Sequence, residues 1–270
     1  MNELALFAGA GGGVLASQLL GHRVVCAVEI EPYCREVLLR RQEDKILPPF
    51  PVWDDVRTFR GKPWRGIVDI VSAGFPCQPF SAAGKRLGKD DPKNMWPDTI
   101  RIICEVRPRY AFLENVPGLI RTDYFGEILG DLAASGFDAM WDVVSAAEAG
   151  APHRRERLWI VADAQRIELW QQPGRELGES GEGETVARND GSKEPMADAR
   201  RERLEGQRNG ASSEGEEEPL PASCGWWQTE PDVGRVADGV ASRVDRLKAI
   251  GNGQVPAVAR KAWNLLTGEV

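Results

Sequence analysis

Cysteine is scarce in this 270-residue sequence, and what there is does not pair. Cys26, Cys34, Cys77, Cys104 and Cys224 are odd in number and lack Cys-x-x-Cys spacing, which argues against a disulfide framework and against a structural zinc site. No metal is expected. Long apolar runs are absent too: the hydrophobic stretch over 4–20 is interrupted by Gly9, Gly11, Gly12 and Gly13, so no membrane span is expected. The opening also lacks the basic-then-apolar pattern of a signal peptide, and a soluble protein of a reducing, cytoplasmic compartment fits best. Positive charge is not in excess, because the formal net charge is -7. Taken whole, that balance weighs against a polyanionic partner. Its distribution reverses the inference: residues 164–235 hold 16 acidic against 9 basic side chains, which leaves 25 of each sign in the remainder.

The chain is long enough to bury a substantial core. Short apolar runs over 4–7, 24–28, 67–72, 110–113 and 158–161 read as buried strands. Between them, 14–20, 32–41, 96–105 and 125–135 carry helical spacing. Strands alternating with helices predict a doubly wound, mostly parallel α/β sheet with helices on both faces. Three parts are expected. Residues 1–163 form that domain; 164–235, rich in Gly, Glu, Arg and Ser, are too poor in apolar side chains to offset their ordering entropy and are expected to be largely irregular. Residues 236–270 end in a helix over 255–266, after the turn-prone Gly251-Asn252-Gly253, and are expected to return to the first domain. A short duplication, Val161-Ala-Asp-Ala-Gln-Arg166 echoed by Met196-Ala-Asp-Ala-Arg-Arg201, has no assigned role.

Polar residues collect where the strands end. The first strand runs into Phe7-Ala-Gly9-Ala-Gly11-Gly12-Gly13, a turn that lets a ligand approach the backbone, although a tight turn without a ligand would read alike. The second ends in Val28-Glu29, where a carboxylate can accept from both hydroxyls of a ribose or simply be a solvated charge. Asp54-Asp55, after the next turn and near a third strand tip, offers an acceptor suited to an exocyclic amino group of adenine, although paired exposed acids are common. The fourth strand leads into Pro76-Cys77-Gln78-Pro79, a stiff loop that places a thiol at the ligand edge; Cys26 and Cys104, on apolar elements, fit a buried role better. Glu114, in Glu114-Asn115-Val116, stands at another strand tip, where an apolar pocket would raise its pKa enough for proton donation. Arg155 and Arg157 alternate along an extended segment and can face one anion or base together, or pair with neighbouring acids.

Taken in order, Phe-x-Gly-x-Gly-Gly, Glu29, Asp55, Pro-Cys-Gln, Glu-Asn-Val, Arg-x-Arg and a late Gly-Asn-x-x-x-Pro resemble the cytosine-5 DNA methyltransferase family over residues 3–163 and 246–257. The resemblance implies a Rossmann-like domain that binds S-adenosylmethionine through Phe7, Gly9 and Gly11. In it Glu29 would hold the ribose, Ile30 would lie against adenine, Asp55 would take the adenine amino group, and Asn252 belongs to the late motif that closes the cofactor site. Cys77 would be the nucleophile that adds to carbon 6 of a flipped-out cytosine, Glu114 the group at its ring nitrogen and amino group, and Arg155 and Arg157 the residues that position the base and its backbone. The implied partner is double-stranded DNA, met by a cytoplasmic monomer, with a cognate restriction endonuclease as a second candidate partner.

Two departures from the pattern stand out. His153 replaces the family's usual glutamine, and the interval that houses target recognition is short, acidic and poor in apolar residues. Phosphate contacts would then fall to residues such as Lys85, Arg86 and Lys89. An RNA cytosine methyltransferase with the same centre and a degenerate DNA-binding relative are the alternatives. A nicotinamide oxidoreductase is disfavoured by Val14, which stands where the third glycine of that fingerprint would be.

Overall fold

Seven strands pair into one sheet in a computed structural model that describes residues 1–76, 94–164 and 243–268. In chain order its elements are β1 (Asn2–Leu6), α1 (Gly12–Leu19), β2 (Arg23–Val28), α2 (Pro32–Glu43), β3 (Val52–Trp53) and β4 (Ile70–Ala73). They continue with α3 (Trp96–Val106), β5 (Tyr110–Asn115), α4 (Asp123–Ala134), β6 (Asp138–Val144), β7 (Arg157–Asp163), α5 (Arg243–Asn252) and α6 (Pro256–Thr267). All belong to one unit that joins residues 1–174 with 239–270. The spatial order is β3-β2-β1-β4-β5-β7-β6. The first five run parallel, while β7 is antiparallel to both β5 and β6. The expected doubly wound, mostly parallel architecture is what the chain adopts. The chain leaves β1 for β2 on one side and reaches β4 on the other, so the reversal falls at the carboxyl ends of β1 and β4, where such sheets bind ligands.

Strand alternation divides the core between two faces. In β5, Ala111 and Leu113 pack with Ile102, Ile103 and Val106 of α3 and with Ile128 and Leu132 of α4. Tyr110 and Phe112 turn the other way, onto Val258, Ala262 and Trp263 of α6. The buried residues of α6 at 258, 259, 262, 263 and 266 form one helical stripe. Trp263 lies edge-on to Tyr110 and Phe112, with ring centroids 5.2 and 5.3 Å away. An aromatic side chain buries about 150–250 Å², so at about 25 cal/mol per Å² this ring contributes roughly 4–6 kcal/mol to holding α6 on the sheet. Pro256 opens α6, and Gly268, at φ 75°, closes it.

The structure departs from the sequence reading in several places. β6 was not foreseen, whereas β3, whose tip the sequence reading put near Asp54-Asp55, has only two residues and no apolar run of its own; β6 is an edge strand whose Asp138, Trp141 and Asp142 are exposed, so its apolar alternation is weak. The helix α5 runs through Gly251 and Asn252 instead of turning there. Cys104 is exposed on α3, in contact with the Ser135 hydroxyl at 3.2 Å, whereas Cys26 is buried as expected. Among the described residues no helix is long and apolar enough to cross a membrane.

Candidate active site

The glycine-rich turn after β1 curls toward β2. Phe7, Gly9 and Gly11 all have positive φ (54°, 54° and 94°), and the Ala8 N–H donates to the Val28 carbonyl at 3.1 Å. Gly11 forms the N-cap of α1, and a Cβ there would stand 3.0 Å from Leu38. Glu29, 7% exposed, locks this turn to the end of β2: one carboxylate oxygen accepts from the Gly9 N–H at 2.7 Å and the other from the Glu31 N–H at 2.8 Å. Each oxygen has a second lone-pair direction left for a ligand hydroxyl. Arg35 steadies the same turn by donating to the carbonyls of Glu29 (3.2 Å) and Ile30 (2.7 Å), while the Ile30 side chain is 54% exposed.

Asp55 follows β3 and is already engaged. The Nε and Nη2 of Arg57 reach its two oxygens at 2.9 and 2.7 Å, and the Arg57 N–H adds a third bond at 3.0 Å. These bonds from Arg57 hold the Asp55 carboxyl below its usual range. Nothing in the sequence pattern had marked Arg57.

Beyond β4 the described backbone runs to Pro76. Asn115, buried at the end of β5, donates from its side chain to the Phe75 carbonyl at 3.2 Å and accepts from the Val116 N–H at 2.8 Å, while the Phe75 ring packs on Trp96 at 5.3 Å. Asn94 donates to the Tyr124 hydroxyl at 2.7 Å. Cys77, Lys85, Arg86 and Lys89 lie outside the described residues, as does the stretch 165–242.

Glu114 meets two arginines. Its Oε1 lies 2.9 Å from Nε of Arg157. Burial pushes the Glu114 carboxyl above its ordinary value, against the opposing pull of Arg157, Arg155 and a hydrogen bond from Gln254. Arg155 adopts φ 35° and sends Nη2 to the carbonyls of Gly251, at 2.8 Å, and Gly253. Burial, with Arg157 close by, draws its pKa down. Both arginines thus serve this end of the sheet, one on the carboxyl and one on the strap joining α5 to α6; His153 stands exposed in the preceding turn.

Phe7, Gly9, Glu114 and Asn252 line one cleft, together with Gly74 and Gln254. Glu29 reaches its rim through Gly9, whereas Gly11, Ile30 and Asp55 are not part of that lining. Asn115 and Gln254 are the residues of this neighbourhood to which sequence reasoning gave no role. The cleft sets a glycine-rich turn, which can take a cofactor against its backbone, beside a buried carboxyl able to donate a proton to a base.

This arrangement on a seven-stranded sheet is that of a Rossmann-like methyltransferase. The chain belongs to a particular family of that class: the model described as C-5 cytosine-specific DNA methylase matches residues 1–213. Among curated relatives, the Type II methyltransferase M.NgoMIV of Neisseria gonorrhoeae is 37% identical over 164 residues, 59% of this chain and 51% of that protein. M.Eco47II of Escherichia coli is 35% identical over 167 residues, 59% of this chain and 38% of that protein. The chain spans about half the length of the first of these relatives and less of the second. Among solved structures, one assigned as a prophage-encoded DNA modification methyltransferase (E. coli) is similar at 25% identity and TM-score 0.51, covering 62% of this chain and 48% of that one.

Proposed function

We propose that the chain methylates carbon 5 of cytosine in double-stranded DNA, with S-adenosylmethionine as methyl donor and Cys77 as covalent nucleophile. The observation that carries this reading is the shared cleft, in which the buried Glu114 faces the glycine-rich turn held by Glu29. The residues fit the cofactor. Gly9 and Gly11 leave the turn's backbone free of side-chain bulk and Phe7 adds an aromatic wall to the cleft, Glu29 keeps acceptor capacity for ribose hydroxyls, the exposed Ile30 suits an adenine face, and Asn252 closes the cleft from the end of α5. Asp55 would take the adenine amino group, sharing its oxygens with Arg57.

Bound S-adenosylmethionine supplies a methyl group on a positively charged sulfur. Carbon 5 of cytosine is a weak nucleophile, and the protein's task is to activate it. The Cys77 thiolate adds to carbon 6, while Glu114, protonated, donates to ring nitrogen 3 and so takes up the charge which that addition creates. Arg157 and Arg155 orient the carboxyl and the flipped-out base. Carbon 5 then accepts the methyl group, loses its proton to a base, and the electron pair returns to expel the Cys77 sulfur. Bringing the base out of the duplex costs a few kcal/mol before any chemistry begins.

On this reading residues 1–163 bind the cofactor and catalyse, 164–235 form a reduced target-recognition segment, and 236–270 complete the catalytic domain. Type II relatives support a place beside a cognate restriction endonuclease. We further read the chain as a cytoplasmic monomer. The test is transfer of tritiated methyl from S-adenosylmethionine to unmethylated duplex DNA, with the product base mapped. Label in 5-methylcytosine is expected, lost in Cys77→Ala; transfer to structured RNA alone, or none to either acceptor, would overturn the proposal.

A further inference from the structure

Three glycines leave room for Gln254 on the strap between α5 and α6, Gly12 for its backbone and Gly13 and Gly74 for its side chain. A Cβ on Gly12 would stand 2.3 Å from the Gln254 carbonyl oxygen, and one on Gly13 would stand 2.6 Å from its side-chain Oε1. A Cβ on Gly74, at the end of β4, would stand 3.0 Å from both Gln254 Nε2 and Glu114 Oε2. The socket therefore draws on the start of α1 and the end of β4, far apart in sequence, and any side chain at these glycines would press on the glutamine. Arg155 secures the strap at its α5 end by donating to the carbonyls of Gly251 and Gly253.

We propose that Gln254 is a positioning residue for Glu114: its amide holds the carboxyl from the Gly74 side while Arg157 holds Oε1. The proposal rests on reading Glu114 as the group that meets the cytosine ring, and it assigns a role to a strap residue that does not itself contact the reacting atoms. Held at both ends, the carboxyl keeps one orientation in the cleft. An amide N–H donated to a carboxylate favours its ionised form, so Gln254 works in the same direction as Arg155 and Arg157, the charged groups facing Glu114 from the β7 side. Arg155 acts on the carboxyl twice, once through its charge and once through the strap that it fixes.

The experiment titrates Glu114 directly in the full chain. Glutamate labelled with carbon-13 at the carboxyl is incorporated, the Glu114 resonance is identified by its loss in Glu114→Gln, and its shift is followed against pH in wild type and in Gln254→Met. Methionine keeps the length but has no amide to donate. The midpoint is expected to rise by about one pH unit, a tenfold gain in proton affinity. Gly74→Ala keeps the glutamine but places a methyl group between the partners; it is expected to shift the midpoint the same way and serves as the reading if Gln254→Met does not fold. A lower melting temperature with an unmoved midpoint would reduce Gln254 to packing and overturn the proposal. Methyl transfer by the wild type is measured alongside. Its absence would remove the proposed reaction without altering the titration, so the two readings fail separately.

Discussion

Replacing Glu29 by glutamine changes one atom in a buried carboxyl, and its consequences can be worked out from two hydrogen bonds. Both oxygens accept a main-chain N–H, from Gly9 at 2.7 Å and Glu31 at 2.8 Å. Glutamine retains one acceptor oxygen, and its NH2 must face the other N–H, donor against donor. An unsatisfied buried donor costs about 1–3 kcal/mol. In a domain of this size about 1 kcal/mol lowers the melting temperature by roughly 2–4 °C, so a fall of about 2–12 °C is expected. If Glu29 also receives a ribose hydroxyl, Glu29→Gln removes a charge-assisted bond worth about 1.5–3 kcal/mol, a loss of roughly 10- to 100-fold in affinity for S-adenosylmethionine. Calorimetric titration with S-adenosylmethionine, at a temperature where the variant is fully folded, measures the second effect apart from the first. Wild-type affinity in a destabilised Glu29→Gln would refute the ribose assignment and leave Glu29 a purely structural lock.

Glu114 makes stability depend on pH. Its folded pKa is raised by burial, so its contribution is fully present below the unfolded value of about 4.5 and is lost as pH rises through the folded value. Wild type should therefore lose stability relative to Glu114→Gln as pH climbs from acid toward neutral, as measured by urea unfolding at a series of pH values; a constant difference would contradict the shift. Burial lifts the thiols of Cys26 and Cys34 to about 11, whereas Cys104 is exposed. Iodoacetamide at pH 8 should modify Cys104 well before those two, as peptide mapping would show; equal rates would contradict the described burial. Trp263→Ala should cost about 3–5 kcal/mol by denaturant unfolding, since it removes the ring that joins α6 to the sheet.

Much of the fold was legible because apolar strands and amphipathic helices carry local periods, and five of the seven strands announce themselves in this way. The sheet's edge strand β6 did not, because a strand with Asp138, Trp141 and Asp142 exposed has little alternation to read. The residues of the cleft divide along the same line. Phe7, Gly9 and Glu114 follow directly on apolar strands, so their places at the carboxyl edge could be inferred from neighbouring residues. Gln254 could not be inferred in this way, since its importance depends on glycines at 12, 13 and 74 that it meets only in the folded chain. Arg57 and Asn115 illustrate the same limit: one claims the carboxylate of Asp55 and the other fixes the backbone at Phe75, and neither act has a sequence period. Cys104 was misplaced because an apolar helix still has an outward side.

Duplex DNA carrying 5-fluorocytosine at the methylated position tests the central claim most directly. Fluorine cannot leave as a proton does, so once carbon 5 has been methylated the Cys77 sulfur cannot be expelled, and the chain should remain bound to the DNA. Mass spectrometry should find a covalent complex that depends on S-adenosylmethionine, maps to Cys77 and is absent in Cys77→Ala. Methyl transfer to ordinary cytosine without any trapped complex on the fluorinated duplex, or a complex that maps to another residue, would contradict covalent catalysis by Cys77.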